Sequence, residues 1–210
     1  MSDSGAFDGP LPAPQRYFVL GTVTLATMLG AMSSTIAYAV LPQMQGSLSA
    51  TQDQIAWSVT FNLMAMAIGT PTTGWLSNRF GRRHVFLVSV TGFSVATFLC
   101  GAAESLETLV IYRVLQGLFV APIVPLSQAI ILGVFPTHQR GLATAIWGMG
   151  VVMGPIFGPT IGGYVAEAYN WRWTFFMIMP VCVLSVFLGW VFITDRRRLR
   201  GTRMDWIGFV

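Results

Sequence analysis

The sequence predicts an all-α integral membrane protein built on six transmembrane helices. Three observations carry that prediction. Six long uncharged stretches divide the chain, at residues 17–52, 54–78, 85–103, 114–137, 141–166 and 173–194. A helix rising ~1.5 Å per residue needs about 20 apolar residues to cross a ~30 Å hydrocarbon layer. Each stretch is long enough, or nearly so, for one crossing. Second, only 10% of the 210 residues are charged and 54% are hydrophobic, where a soluble domain carries about 25% charged residues. Third, the basic residues alternate sides. All twelve are arginine, and ten fall before the first stretch, after the second, after the fourth and after the sixth: Arg16; Arg79, Arg82 and Arg83; Arg140; Arg196, Arg197, Arg198, Arg200 and Arg203. The other loops hold only Arg172, beside Asp53, Glu104, Glu107 and Glu167, and the twelfth arginine, Arg113, heads the fourth stretch. The positive-inside rule then puts both ends in the cytoplasm of an inner (plasma) membrane.

The same observations exclude other classes. The formal charge of +4 reflects topology and attraction to anionic lipid headgroups, not a nucleic-acid surface. Cys100 and Cys182 both fall within spans and read as buried, inert thiols. Nothing calls for a metal or cofactor. No paired aspartates, no Ser/Lys or Ser/His pair within spans and no HExxH argue for an intramembrane enzyme.

Taken in order, residues 1–16 are polar and rich in Gly and Pro, without the basic region of a secretion signal. They read as a disordered cytoplasmic tail before the six-span core of 17–194. The six runs then give helices joined by short loops, so consecutive helices are antiparallel neighbours. Trp57, Trp75, Trp171, Trp173, Tyr17, Tyr112 and Tyr169 lie near span ends, as interfacial anchors should. Pro71, Pro122, Pro125, Pro155, Pro159 and Pro180 lie within spans, where each removes a backbone donor and favours a kink.

The loop between the second and third spans reads GWLSNRFGRRH over residues 74–84. Gly74 allows close approach of a neighbouring helix, and Gly81 supplies a turn conformation that a side chain would obstruct. With Asn78, the arginines Arg79, Arg82 and Arg83 form a gating-loop candidate, able to pair with acids, helix C-termini or phosphates. The plainer reading is a basic loop that obeys topology. The fourth span opens YRVLQG, residues 112–117. Arg113 falls about five residues, or ~8 Å, inside the extracellular end. An arginine within a span is costly and marks function by default, unless it snorkels to the outer headgroups. Gln116 and Gly117 follow at i+3 and i+4 and share its face. In the fifth span Gly150, Gly154, Gly158 and Gly162 repeat every four residues, with Pro155, Pro159 and Gly163 interleaved. That stripe permits close helix contact, either as an ordinary packing seam or as a seal against leak. After the arginine cluster, residues 195–205 form a basic cytoplasmic linker, and 206–210 read as the start of a seventh span.

The loop at 74–83, the Arg113–Gln116–Gly117 face and the G-x3-G-P-x2-G-G run at 154–163 resemble three signature motifs of the major facilitator superfamily. STIAYAVLP at 34–42, PLSQAIIL at 125–132, QRGLATAIW at 139–147 and NWRWTFF at 170–176 are similar to drug:proton antiporters of the EmrB/QacA type. The resemblance implies the N-terminal half-bundle of such a transporter, two inverted three-helix repeats, with more than half of the spans outside this sequence. It implies proton-coupled efflux of hydrophobic or amphipathic drugs by alternating access. A periplasmic adaptor and an outer-membrane channel would be partners where the source has an outer membrane. Arg113, Gln116, Gly117, Ser33 and Thr35 would serve transport and coupling. Two positions depart from the pattern. Asn78 stands where an acid is usual, and so does Ser33, two residues before Thr35. No span in this sequence holds a carboxylate. A sensor or scaffold on the same fold is the alternative that those two departures suggest.

Overall fold

In a computed structural model the described residues, 12–193, form a bundle of α-helices. The linker at 195–205, the expected seventh span and residues 1–11 of the tail lie outside them. The first span is α1 (Ala13–Ser47), so residues 13–16, expected as tail, are already helical. The second is α2 (Gln52–Phe80) and the third α3 (Arg82–Gly101). The fourth is broken into α4 (Leu106–Val120) and α5 (Ile123–Val134). After a 3-10 turn at Thr137–Gln139, α6 (Arg140–Ala168) is the fifth. The sixth is α7 (Trp171–Phe176) followed by α8 (Met179–Phe192).

Local chemistry sets these boundaries. Thr51 and Gln54 cap the start of α2 reciprocally, at 3.4 and 3.0 Å, and Ser105 and Thr108 do the same for α4 at 3.3 and 3.2 Å. Each box satisfies two of the donors a helix start leaves free. Gly81 ends α2 with φ 89°, a conformation open to glycine and costly for other residues, as the sequence predicted. Pro122, which has no N–H to donate, sits in the break of the fourth span. Pro71, Pro155 and Pro159 instead lie inside continuous helices, as does Pro42 in α1.

Five helical stretches among the described residues are long and apolar enough to cross a membrane. The expected second span, α2, has the length but not the hydropathy, because Asn62, Thr70, Thr72, Thr73 and Asn78 dilute its apolar content. Its polar groups are partly absorbed by back-bonding: Thr70 donates to Met66 O and Thr72 to Gly69 O, both at 2.7 Å.

The spans pair as an inverted repeat requires. α1 lies along α6, α2 along α4, and α3 beside the sixth span. Exchanging spans 1–3 with spans 4–6 maps the first pair onto the second and the third onto itself. Both exchanged pairs use glycine. Gly154 meets Met28 O and Met32 N of α1, where an added Cβ would lie 2.6 and 3.1 Å away. Gly117 of α4 abuts the main-chain carbonyl of Asn62 in α2. The third pair is tied at its two ends by arginine. Arg83, in the first turn of α3, donates to Trp190 O in the last turn of α8 at 2.7 Å. Arg172, at the start of α7, donates to Gly101 O, the last residue of α3, at 3.3 Å. Carbonyls in a helix's last turn lack intrahelical donors and carry partial negative charge, so cations fit there.

Trp171 departs from its expected place at the interface. It is 2% exposed, with Nε1 donating to Ser47 Oγ at 2.7 Å. Trp57, Trp173, Tyr17 and Tyr169 are exposed. Cys100 and Cys182 are buried free thiols.

Candidate functional site

The polar centre of the bundle is assembled from three spans around one turn of α4. Because α4 begins at Leu106, Arg113 lies deeper than the sequence suggested, seven residues after the first helical position and ~10 Å along the axis. It does not snorkel. The side chain is 1% exposed, and Nη1 donates to Gln116 Oε1 at 2.7 Å, one turn on. Gln116 Nε2 then donates to Thr97 Oγ1 of α3 at 2.8 Å and to Ser33 Oγ of α1 at 3.1 Å. The amide's orientation follows from its surroundings, since a flipped Gln116 would aim donors at the arginine. Thr97 Oγ1 closes that branch by donating to Phe93 O at 2.7 Å.

Two further contacts hold the arginine. The Phe175 ring of α7 lies over it, with the guanidinium carbon 4.9 Å from the ring centroid, a cation–π geometry. Asn62 Nδ2 donates to the main-chain carbonyl of Arg113 at 2.8 Å. With Gly117 against the carbonyl of Asn62, that bond fixes the register of α4 on α2. The guanidinium nevertheless keeps two nitrogens, Nε and Nη2, without a partner. The four carboxylates among the described residues, Asp53, Glu104, Glu107 and Glu167, are all exposed.

Arg113, Gln116, Gly117 and Ser33 are therefore brought together as the sequence anticipated. Thr35 is not among them. It faces α6, where its Oγ1 meets Gly158 and back-bonds to Met32 O at 3.0 Å. The glycine stripe of α6 faces α1 throughout: Gly150 meets Thr24, Gly158 meets Thr35 and Met32, and Gly162 meets Ile36. Pro155 and Pro159 are on the exposed side of the same helix, and Gly163 has nothing within 4 Å.

At the opposite end, Arg79 lies over the rings of Trp75 and Phe80, at 5.4 and 5.7 Å. Arg82 donates to Ala129 O of α5 at 3.0 Å, and Arg83 to α8 as described. Gly74 approaches no other helix among the described residues. A Cβ there would have nothing within 4 Å, because the α2–α4 contact is made further along, at Asn62, Ala65 and Gly69.

Sequence reasoning missed Asn62, Thr97 and Phe175. Asn62 had a usable signal, an amide in the middle of a span. Thr97 had none, because a threonine in a span hides its hydroxyl by back-bonding wherever it points. It also missed a second cluster on α5, where Thr27 Oγ1 donates to Val23 O at 2.6 Å, lies 3.1 Å from Ser127 Oγ and accepts from Trp147 Nε1 at 3.1 Å.

Six helical spans paired as an inverted repeat, with an arginine sealed in the interior, define a half-bundle of the membrane-transporter class. The sequence pattern of the Major Facilitator Superfamily matches residues 23–205, and the chain belongs to that family, whose members are multi-pass transport proteins and not enzymes. It is 42% identical over 174 residues to "Multidrug export protein EmrB" of Haemophilus influenzae, covering 83% of this chain and 34% of that protein. It is 36% identical to the Escherichia coli K12 protein of the same description, covering 95% of this chain and 39% of that one. The figures for "Fatty acid resistance protein FarB" of Neisseria gonorrhoeae are 34% identity, 95% and 39%. The chain thus spans 34–39% of the length of these curated relatives. Among solved structures, the inward-open xylose transporter XylE from E. coli has the same fold, with TM-score 0.78 at 19% identity over 89% of this chain and 50% of that one.

Proposed function

We infer that the whole protein is a secondary active transporter that exports hydrophobic or amphipathic compounds in exchange for protons by alternating access. One observation carries the reading. In a superfamily half-bundle whose relatives are described as multidrug exporters, Arg113 is sealed among neutral hydrogen-bonding groups from three spans. Burying a permanently charged group costs too much to be retained for packing alone. In this reading Arg113 and Gln116 couple ion movement to opening. Arg82 and Arg83 latch the cytoplasmic ends of α5 and α8, and the glycine stripe keeps the α1–α6 seam tight. No carboxylate of the described residues enters the bundle, so the proton carrier belongs to the rest of the protein. The protein sits in the inner (plasma) membrane with the 78–83 loop cytoplasmic, and a periplasmic adaptor and outer-membrane channel complete the export path where an outer membrane exists.

Proton-gradient-dependent dye efflux by the whole protein in everted vesicles tests the activity. Efflux that collapses with the gradient is expected, and dye movement indifferent to the gradient would sink the reading. Orientation is tested by a cysteine at position 82, with Cys100 and Cys182 replaced. An impermeant thiol reagent added outside intact cells should leave it unlabelled, and rapid labelling would reverse the topology.

A further inference from the structure

We propose that the fourth span is jointed inside the half-bundle, with residues 119–121 as the bearing, so that α2 and α4 turn together against α1, α3 and α8; that this turning serves a transport cycle rests on the reading above. The joint begins in the main chain. The ladder of α4 closes with Ala121 N–H donating to Gly117 O at 3.1 Å, and that of α5 opens with Leu126 N–H donating to Pro122 O at 3.0 Å. Pro122 and Pro125 have no N–H. The carbonyls four residues before them, Leu118 O and Ala121 O, therefore receive no helical donor across the break. Ala121 and Pro122 still keep near-helical dihedrals, φ −50°, ψ −46° and φ −74°, ψ −17°. The two halves run almost in line without a continuous ladder to stiffen them.

The side chains at the break rest on bare backbone. Three consecutive residues each face a glycine of a different helix: Phe119 lies against Gly92 of α3, Val120 against Gly30 of α1 and Ala121 against Gly69 of α2. A Cβ at Gly30 would lie 2.6 Å from Val120 Cγ2, one at Gly69 would lie 2.8 Å from Ala121 Cβ, and one at Gly92 would run into the Phe119 ring. Packed side chains interdigitate and resist sliding. A glycine offers nothing to interlock, so a contact on it can turn without a change of rotamer. The attachments on either side decide which part moves. Asn62 Nδ2 donates to the main-chain carbonyl of Arg113 at 2.8 Å, and Gly117 abuts the carbonyl of Asn62, so α4 is fixed in register to α2. On α5, Ser127 lies 3.1 Å from Thr27 of α1, and Ala129 O accepts from Arg82 of α3 at 3.0 Å. α8 joins that second block by packing on α1 and α3. The fourth span is thus shared by two blocks and broken where it passes from one to the other.

A rigid half-bundle keeps every distance within it fixed, and a jointed one does not. The test uses the purified whole protein in nanodiscs, with Cys100 and Cys182 replaced by alanine and spin labels paired on exposed positions. Ile111 of α4 with Val183 of α8 spans the joint, and Leu132 of α5 with Val191 of α8 stays within one block. Double electron–electron resonance should show two Ile111–Val183 populations whose weights shift with ethidium or pH, and one Leu132–Val191 population throughout. Pro122→Ala with Pro125→Ala returns both donors. The first pair should then collapse to one distance, and turnover in ethidium efflux should fall at least about tenfold while the melting temperature does not fall. Residues that only pack would move stability and spare turnover. Gly92→Ala should also slow turnover by jamming the Phe119 seat, and adding Phe119→Ala should bring it back to within about threefold of wild type; this pair reports independently if the proline variant is not recovered. A single Ile111–Val183 distance under every condition, or wild-type turnover in the proline variant or in Gly92→Ala, would overturn the joint. Gradient-driven ethidium efflux from vesicles decides the transport reading separately. Two distances that collapse in the proline variant, with no efflux by the wild type, leave the joint standing and defeat transport. Gradient-driven efflux with a single distance defeats the joint and leaves transport standing.

Discussion

The two halves of the fourth span each carry a buried polar cluster, and the clusters follow opposite rules. On α5, Ser127 joins Thr27 and Trp147 in a neutral set whose donors find acceptors, ending on Val23 O. Arg82 adds a bond to Ala129 O from outside. On α4, Arg113 anchors a charged set that uses every hydrogen-bonding group of Gln116 and still leaves an edge of the guanidinium unused. Between them the chain breaks at Pro122. A saturated neutral cluster fixes how helices pack. An unsaturated charged one stores an interaction that the rest of the cycle can make or release. If the proposed transport reading holds, the same span separates a structural half from a working half.

The contrast breaks most severely at Gly117. A leucine there drives its Cβ into the Asn62 carbonyl, a main-chain atom that cannot swing aside. Overpacking of that kind costs ~1–3 kcal/mol or more, and yield and melting temperature of Gly117→Leu should fall together with efflux. Next comes Arg113. Arg113→Lys and Arg113→Ala should both abolish coupled efflux while expression stays intact. A lysine loses the planar fork that Gln116 and Phe175 hold, and an alanine removes a charge whose burial is costly. Full efflux in the lysine variant would remove the guanidinium from the mechanism and level the two halves of the span. In the α1–α6 seam, Gly158→Leu meets Thr35 and Met32. It should insert normally yet lose export or leak protons, at ~1–3 kcal/mol of strain. Normal export would reduce the stripe to simple packing.

The neutral cluster should behave differently. Thr27→Val leaves Trp147 Nε1 and Ser127 Oγ short of a partner and should destabilise by ~1–3 kcal/mol, read as a lower melting temperature with transport parameters unchanged. Altered substrate dependence in that variant would show that α5 also works. The smallest effect is expected at Gly74, which has open space around it. Gly74→Ala should shift stability by no more than about 1 kcal/mol, toward greater helix stability, and leave efflux as it was.

Much of the bundle was legible because lipid simplifies the code. An uncharged run must be a helix, and arginine bias orients it, so the six spans and the turn at Gly81 follow from residues alone. Arg113 and Gln116 were legible because i and i+3 share a face whatever surrounds them. The start of α4 was not, since Leu106–Tyr112 is apolar apart from Glu107 and the uncharged run was counted only from beyond Arg113. Thr35 lies apart from the Arg113 cluster for a geometric reason: two residues along a helix turn the side chain ~200° from Ser33, onto the α6 seam. Trp171 looked like its neighbour Trp173, but only one of two tryptophans two positions apart on a helix faces outward. Among the described residues the close approach expected at Gly74 is made at Gly69 and Gly117 instead, because sequence shows where a glycine is and not what stands opposite.

The reciprocal arginine ties of the third and sixth spans bear on the order in which the protein is made. When α3 enters the membrane, Arg83 has no partner at Trp190 and the terminal carbonyl at Gly101 has no donor from Arg172, because neither residue has yet been synthesised. Both ties close only when the sixth span arrives, antiparallel and at the right depth, and a register error of one turn at either end would open one of them. The last span of the half-bundle is therefore its own proofreader: the ribosome must deliver about a hundred further residues after Arg83 before the third span is finished, and from that moment the two are held at both faces of the membrane.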